Sequence, residues 1–180
     1  MNETVLKNRI TIKKLSAADA SILSTVALKA YSDHYLHLWY DGGQWYMNKF
    51  FSPQQLQTEL QDPNAAFYLA CHNGVPAGFL KLNINTSYPG EYDNNALELE
   101  RIYLNKEATG KGIGKALAEL TFAIAKENNR KLVWLKAMDT SHESIAFYKK
   151  MGFEITGRYT LPHEKMKEAL RGMVIMTKFL

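Results

Sequence analysis

Three glycines at alternate positions, Gly110, Gly112 and Gly114, stand between an apolar run ending in Ile102-Tyr103-Leu104 and a helical stripe of Leu117, Leu120 and Ile124. A strand that enters a helix through such a loop presents free backbone N–H groups and a partial positive charge, the elements of a phosphate site. Glycine lets the backbone close on a ligand, and Lys111 and Lys115 add counter-charge. Two familiar phosphate loops do not fit. A P-loop needs Ser or Thr after its lysine, but Ala116 follows Lys115. A dinucleotide fingerprint needs G-x-G-x-x-G, and here the spacing is G-x-G-x-G. The competing reading is a turn that merely tightens strand–helix packing.

The pattern around this loop is strand, loop, helix, strand, helix, strand. Ala96 to Leu104 reads as a strand and the helix after Gly114 ends at Asn128-Asn129. Leu132 to Ala137 is a buried strand, and Thr140-Ser141-His142-Glu143 resembles a capping box for a short helix that Gly152 closes. Phe153 to Tyr159 and Met173 to Leu180 supply the last strands, with the polar stretch Pro162 to Arg171 expected as a lid or disordered turn. Upstream, Ile10 to Leu15 alternates like a strand. Ser16 with Asp19 opens a helix whose stripe is Ile22, Leu23, Val26, Ala27 and Ala30, ending before Gly42-Gly43. Ser52-Pro53-Gln54-Gln55 announces a second helix that stops near Asp62-Pro63. The runs 66–71 and 77–84 flank Asn73-Gly74 as a hairpin, with Pro76 delaying the second strand or putting it at an edge. Thr86 to Asn95 reads as a loop.

With 46% hydrophobic and 22% charged residues over 180 positions, one mixed α/β domain spanning residues 1–180 accounts for the chain. A net charge of +4 without a basic tract gives no reason to expect nucleic acid. Cys71 is the only cysteine, which excludes an internal disulfide and a cysteine-rich metal site; no metal is expected. The polar, mixed-charge start from Met1 to Arg9 and the lack of a long apolar stretch predict a cytoplasmic protein without a membrane partner. A homodimer is allowed.

Ser144-Ile145-Ala146-Phe147-Tyr148-Lys149-Lys150-Met151-Gly152-Phe153 completes a second block after the glycine loop. In order and spacing, the two blocks resemble the GNAT superfamily of N-acetyltransferases. Together with Leu97-Glu98-Leu99-Glu100-Arg101-Ile102-Tyr103, they look like its bacterial Pai-type spermidine/spermine members. The resemblance implies a mixed, mostly antiparallel sheet, splayed at the cofactor strand and flanked by helices. It also implies acetyl-coenzyme A as co-substrate and a small-molecule amine as acceptor. Backbone of Ile102, Tyr103 and Leu104 would pair with the pantetheine amides, and Thr109, Gly110, Lys111, Gly112, Ile113, Gly114 and Lys115 would hold the pyrophosphate. Thr109 stands where the family usually has Gln or Arg, and Ser141, expected on the pantetheine arm, where it has Asn.

Tyr148 is the expected general acid, since a phenol with a pKa near 10 is protonated at neutral pH. Glu100, ahead of Glu98, is the expected base, with His34, His37 and His142 as lesser candidates. Leu97 and Leu99 share one alternation phase and Ile102 and Leu104 the other, the pattern of a β-bulge or of a strand buried on both faces. Asp33, Asp41, Glu91 and Asp93 could attract a cationic acceptor, with Tyr31, Tyr35, Trp39 and Tyr40 as aromatic walls. A non-catalytic cofactor sensor and a generic nucleotide-binding domain are the competing classes.

Overall fold

A computed structural model describes residues 9–92 and 95–180; the expectations for Met1 to Asn8 and for Asp93 lie outside them. Its described strands form one sheet in the order β1-β2-β3-β4-β5-β7-β6: β1 (Ile10–Lys14), β2 (Ala65–His72), β3 (Val75–Asn83), β4 (Ala96–Leu104), β5 (Leu132–Met138), β6 (Glu154–Thr160) and β7 (Gly172–Phe179). Every neighbouring pair is antiparallel except β4 with β5. On one face α1 (Ala20–His34), α2 (Gln44–Phe50) and α3 (Pro53–Leu60) cover Phe67, Leu69 and Phe79. On the other, α4 (Ile113–Glu127) packs Ile113, Leu117 and Ala125 against Leu80, Leu97, Leu99 and Val133, with α5 (His142–Lys150) beside it. The period-3.6 stripe of α4 is what lets it bury one side. A residue such as Leu117, fully buried, contributes about 1.5–3 kcal/mol by leaving water.

Several expectations need correction. The first helix ends at His34, before Gly42-Gly43 as expected, but a helix unmarked by sequence pattern follows at Gln44. Asp41 starts that helix: its carboxylate accepts the Gly43 N–H at 3.0 Å and the Trp45 N–H at 2.9 Å. Ile22, placed in the apolar stripe, is 40% exposed. The strand β3 begins at Val75, before Pro76, but its register with β4 starts only at Gly78, so the proline sits where the strand is paired on the β2 side alone, beside a register shift between Ala70 and Cys71. The Ser16–Asp19 box forms, with Asp19 accepting the Ser16 N–H at 2.8 Å, and it shapes a 3₁₀ turn leading into α1. At the other box Ser141 is the N-cap, and its side chain makes no capping hydrogen bond. The stretch 162–171 is neither a lid standing free nor a disordered turn. Met166 is buried and bridges to Trp39, while Arg171 donates to the Met166 carbonyl at 2.9 and 3.0 Å.

Two irregularities of β4 prepare the site. Its pairing with β5 covers only Ala96–Leu132, Leu97–Val133 and Glu98–Trp134, so the two strands part beyond Glu98. On the β3 side, Lys81 pairs with Arg101 and Leu82 with Leu99, which leaves Glu100 as the extra residue of a bulge. The phase shift in the sequence has this bulge as its cause. It turns Glu100 and Arg101 into one ionic ring, in which Glu100 meets Lys81, Arg101 meets Glu59, and the two meet each other, instead of to opposite faces.

Candidate active site

The parting of β4 and β5 opens two cavities that meet. The larger, about 700 Å³, is lined by Ile102, Tyr103 and Leu104, by Thr109, Gly110, Gly112, Ile113, Gly114 and Lys115, and by the start of α5. Gly110 (φ +78°) and Gly112 (φ +81°) occupy the left-handed region, where a β-carbon is strained, and Gly112 is the N-cap of α4. Gly114 has a different reason: a β-carbon there would reach 3.4 Å from the Phe147 ring. The N–H of Ala116 closes the first turn on Gly112, leaving those of Ile113, Gly114 and Lys115 outside the helical ladder and free for an anion. This cradle fits a pyrophosphate. Lys115 contacts Glu119 at only 3.7 Å and stays exposed, so it can turn to a ligand; Lys111 does not line the cavity. His34 Nε2 lies 3.0 Å from the Leu104 carbonyl, which therefore already has a partner in the residues expected to pair with a bound amide chain.

The smaller cavity, about 320 Å³, lies on the α1–α2 side of β4. Its walls include Tyr31, Tyr35, Trp39, Tyr46 and Tyr103, and its charged lining is Glu98, Glu100, Arg101 and Lys136. Tyr148, Ser141, Ser144, Tyr35, Ile102 and Tyr103 line both cavities. Tyr148 comes from α5 and is 9% exposed; burial, with Tyr35 nearby, pushes its phenol well above the usual range and keeps it protonated. The described residues offer its hydroxyl no hydrogen-bond partner, so the proton is free to be donated.

The two carboxylates differ. Glu100 contacts Lys81 Nζ at 2.7 Å and Arg101 Nη2 at 3.1 Å, and Glu59 closes the ring with Lys81 at 2.8 Å and Arg101 at 3.2 Å. Burial pushes Glu100 upward, but Arg101 and Lys81 outweigh it and hold it below the ordinary range. Among the described residues Glu98 has no ion pair. Burial raises it, the Asn83 amide opposes, and the charge of Glu100 adds to the rise. Of the two, Glu98 is the one pushed toward higher basicity and the one without a charged partner among the described residues.

Other expected residues stand elsewhere. Asp33 accepts the Lys106 N–H at 2.9 Å and pairs with Lys29, and Asp41 caps α2; neither lines a cavity. Glu91 lies outside both cavities, as do Tyr40, which is 69% exposed, and His37. His142 lines the larger cavity only. Missed were Tyr46, Leu161, His163, Met166, Met173 and Lys136. The aromatic density of Trp39 to Phe51 was a signal for the first of these; the others lie on elements remote in sequence. His163 packs edge-on to Trp45 and Tyr46, and burial, then Lys49 and Arg171, lower its pKa.

The sheet is parted at one strand, with an anion cradle on one side and an aromatic, acidic cavity on the other, and Tyr148 lines both. The Acetyltransferase (GNAT) family pattern matches residues 26–153, and the chain belongs to that family. Among its relatives, the peptidyl-lysine N-acetyltransferase of Escherichia coli strain K12 is 25% identical over 60% of this chain and 67% of its own length. A probable spermine N(1)-acetyltransferase of Bacillus subtilis subsp. natto is 25% identical over 53% of this chain and 63% of its own. Matches to the first two curated relatives cover 62% and 66% of those proteins. The fold is shared with the PaiA N-acetyltransferase of Thermoplasma acidophilum, solved with coenzyme A (TM-score 0.76, 24% identity, 96% of this chain and 99% of that one).

Proposed function

We propose that this chain transfers the acetyl group of acetyl-coenzyme A to a primary amine, as a cytoplasmic enzyme. The observation that carries the reading is the junction of the two cavities at Tyr148, with Glu98 across from it on β4. The open edge of β4 from Ile102 would pair with the pantetheine arm and the α4 cradle would hold the pyrophosphate, with Ser141 offering its uncapped hydroxyl. Glu98 takes a proton from the bound ammonium. The freed nitrogen lone pair attacks the thioester carbonyl, the carbon–sulfur bond breaks, and Tyr148 protonates the departing thiolate. The second proton lost by nitrogen restores the phenol, so the products are an amide, coenzyme A and one proton on Glu98 that returns to water.

For the acceptor, the resemblance to Pai-type enzymes and the spermine-named relative support a polyamine, and aromatic walls suit an ammonium. The lysine-directed relative supports a protein amine equally in sequence terms. Against a bulky peptide stands the packing of Leu161, His163 and Met166 along the acceptor cavity, which limits its volume. A small amine is therefore the better reading.

The test is coenzyme A release from acetyl-coenzyme A with spermidine, an aminoglycoside, a lysine peptide and an N-terminal peptide, beside calorimetry of coenzyme A binding. Release that requires an amine and is fastest with spermidine is expected. Fastest release with a peptide discards the polyamine alone. Tight binding with no release for any amine would leave a cofactor sensor instead.

A further inference from the structure

Asn83 ends β3 directly opposite Glu98 in the β3–β4 register. Its carboxamide nitrogen donates to Glu98 Oε2 at 2.8 Å and to Glu100 Oε2 at 2.7 Å, so both of its N–H bonds go to carboxylates. One of those carboxylates is anchored: Glu100 is fixed by Lys81 and Arg101, which Glu59 on α3 braces in turn. The other has no ion pair among the described residues and lines the acceptor cavity. Asn83 thus hangs Glu98 from a rigid ionic ring, and we propose that Asn83 is a positioning residue, aiming Glu98 at the acceptor nitrogen and keeping it ionised. The role rests on the acyl-transfer reading with Glu98 as base.

The remaining charges around Glu98 explain why the amide matters. Burial and the charge of Glu100 disfavour its ionisation, while Lys136 and Lys81 favour it; Arg101 and Glu59 stand in the ionic ring beyond Glu100. His163 also lines the cavity, and its lowered pKa leaves it largely neutral at pH 7. The phenols of Tyr31, Tyr35, Tyr46, Tyr103 and Tyr148 remain protonated there, each pushed upward mainly by burial. Since Lys81 and Arg101 are committed to Glu100 and Glu59, Asn83 is the near donor that Glu98 has. An amide donating to a carboxylate favours its charged form, so removing the donor raises the pKa of Glu98.

The experiment compares wild type with Asn83→Leu, Asn83→Asp and Glu98→Gln. The acidic limb of kcat/KM is followed with spermidine, and side-chain carboxyl carbons are titrated by NMR, which needs no acceptor. Asn83→Leu should move both the limb and the Glu98 titration up by about one pH unit, and the isosteric Asn83→Asp by more. A packing role alone would lower the plateau and leave the limb in place. If Glu98→Gln abolishes the limb while neither Asn83 variant moves the Glu98 titration, the Asn83 role is overturned and the base assignment stands. If Glu98→Gln leaves the limb unchanged, the base assignment fails and the Asn83 role fails with it.

Discussion

At the scale of single residues, position in the fold separates groups that look alike in the chain. Glu98 and Glu100 are two residues apart on one strand, yet one is held by two cations and the other by an amide. The glycines divide too: backbone conformation requires Gly110 and Gly112, while the Phe147 ring limits Gly114. Tyr148 invites a direct test because its ring is packed against Phe147 and Phe153 and only its hydroxyl is chemically expendable. Tyr148→Phe should keep acetyl-coenzyme A affinity within about twofold and lower kcat by ~10²-fold, since general acid catalysis contributes on that order. Calorimetry and steady-state kinetics read the two numbers, and wild-type turnover in a pre-steady-state burst would remove Tyr148 from the acid's role. Of these residues, Tyr148 and the glycine loop were legible in sequence. The different partners of the two glutamates were not, because they depend on Lys81 of β3 and Glu59 of α3 meeting Arg101 beside them on β4.

At the scale of elements, the acceptor cavity is built by α2 and by the segment between β6 and β7. Trp39 holds them together: it bridges to Met166, its indole donates to the Tyr31 hydroxyl at 2.8 Å, and its ring lies 5.9 Å from His163. Met166 is 2% exposed, so Met166→Ala leaves a void and should cost about 2–5 kcal/mol of stability if the segment cannot collapse around it. The same change should raise KM for the amine several-fold and leave KM for acetyl-coenzyme A nearly unchanged, because Met166 lines only the acceptor cavity. Denaturant unfolding and a two-substrate kinetic matrix would check both, and an equal rise in the two KM values would mean that the segment supports the whole site. The polar composition of 162–171 hid this packing. One buried methionine and a main-chain bridge, rather than an apolar run, hold the segment down.

At the scale of the whole molecule, charge is distributed unevenly between the two substrates. The chain carries +4, and the cofactor cavity presents exposed Lys115 and a helix start, whereas the acceptor cavity balances Glu98 and Glu100 against Arg101 and Lys136. Asp33 and Asp41, expected to draw in a cation, are spent on backbone N–H groups, Lys106 for the first and Trp45 for the second, which lower their pKa values. Exposed charges are screened as the Debye length falls from about 10 Å at 0.1 M salt to about 3 Å at 1 M, and partly buried ones much less. KM for acetyl-coenzyme A should therefore rise several-fold over that range while KM for spermidine changes by less than about twofold. A steeper rise for spermidine, measured at saturating acetyl-coenzyme A, would mean that surface carboxylates steer the amine after all.

What the sequence determined by itself was set within a few residues of chain. The alternation of β4 and its bulge, the glycine loop before α4, the proline-marked start of α3 and the Asn73-Gly74 hairpin all follow from local propensity and period. These were enough to resemble a family and to foresee the fold. The tertiary structure alone decided which carboxylate is left free, which aromatics wall the acceptor cavity and which acids are consumed as caps. The reason is physical. A strand or helix is specified by its own residues, but basicity and cavity shape are set by desolvation and by partners such as Glu59 and Arg101, 42 positions apart, that meet only once the sheet has closed around them.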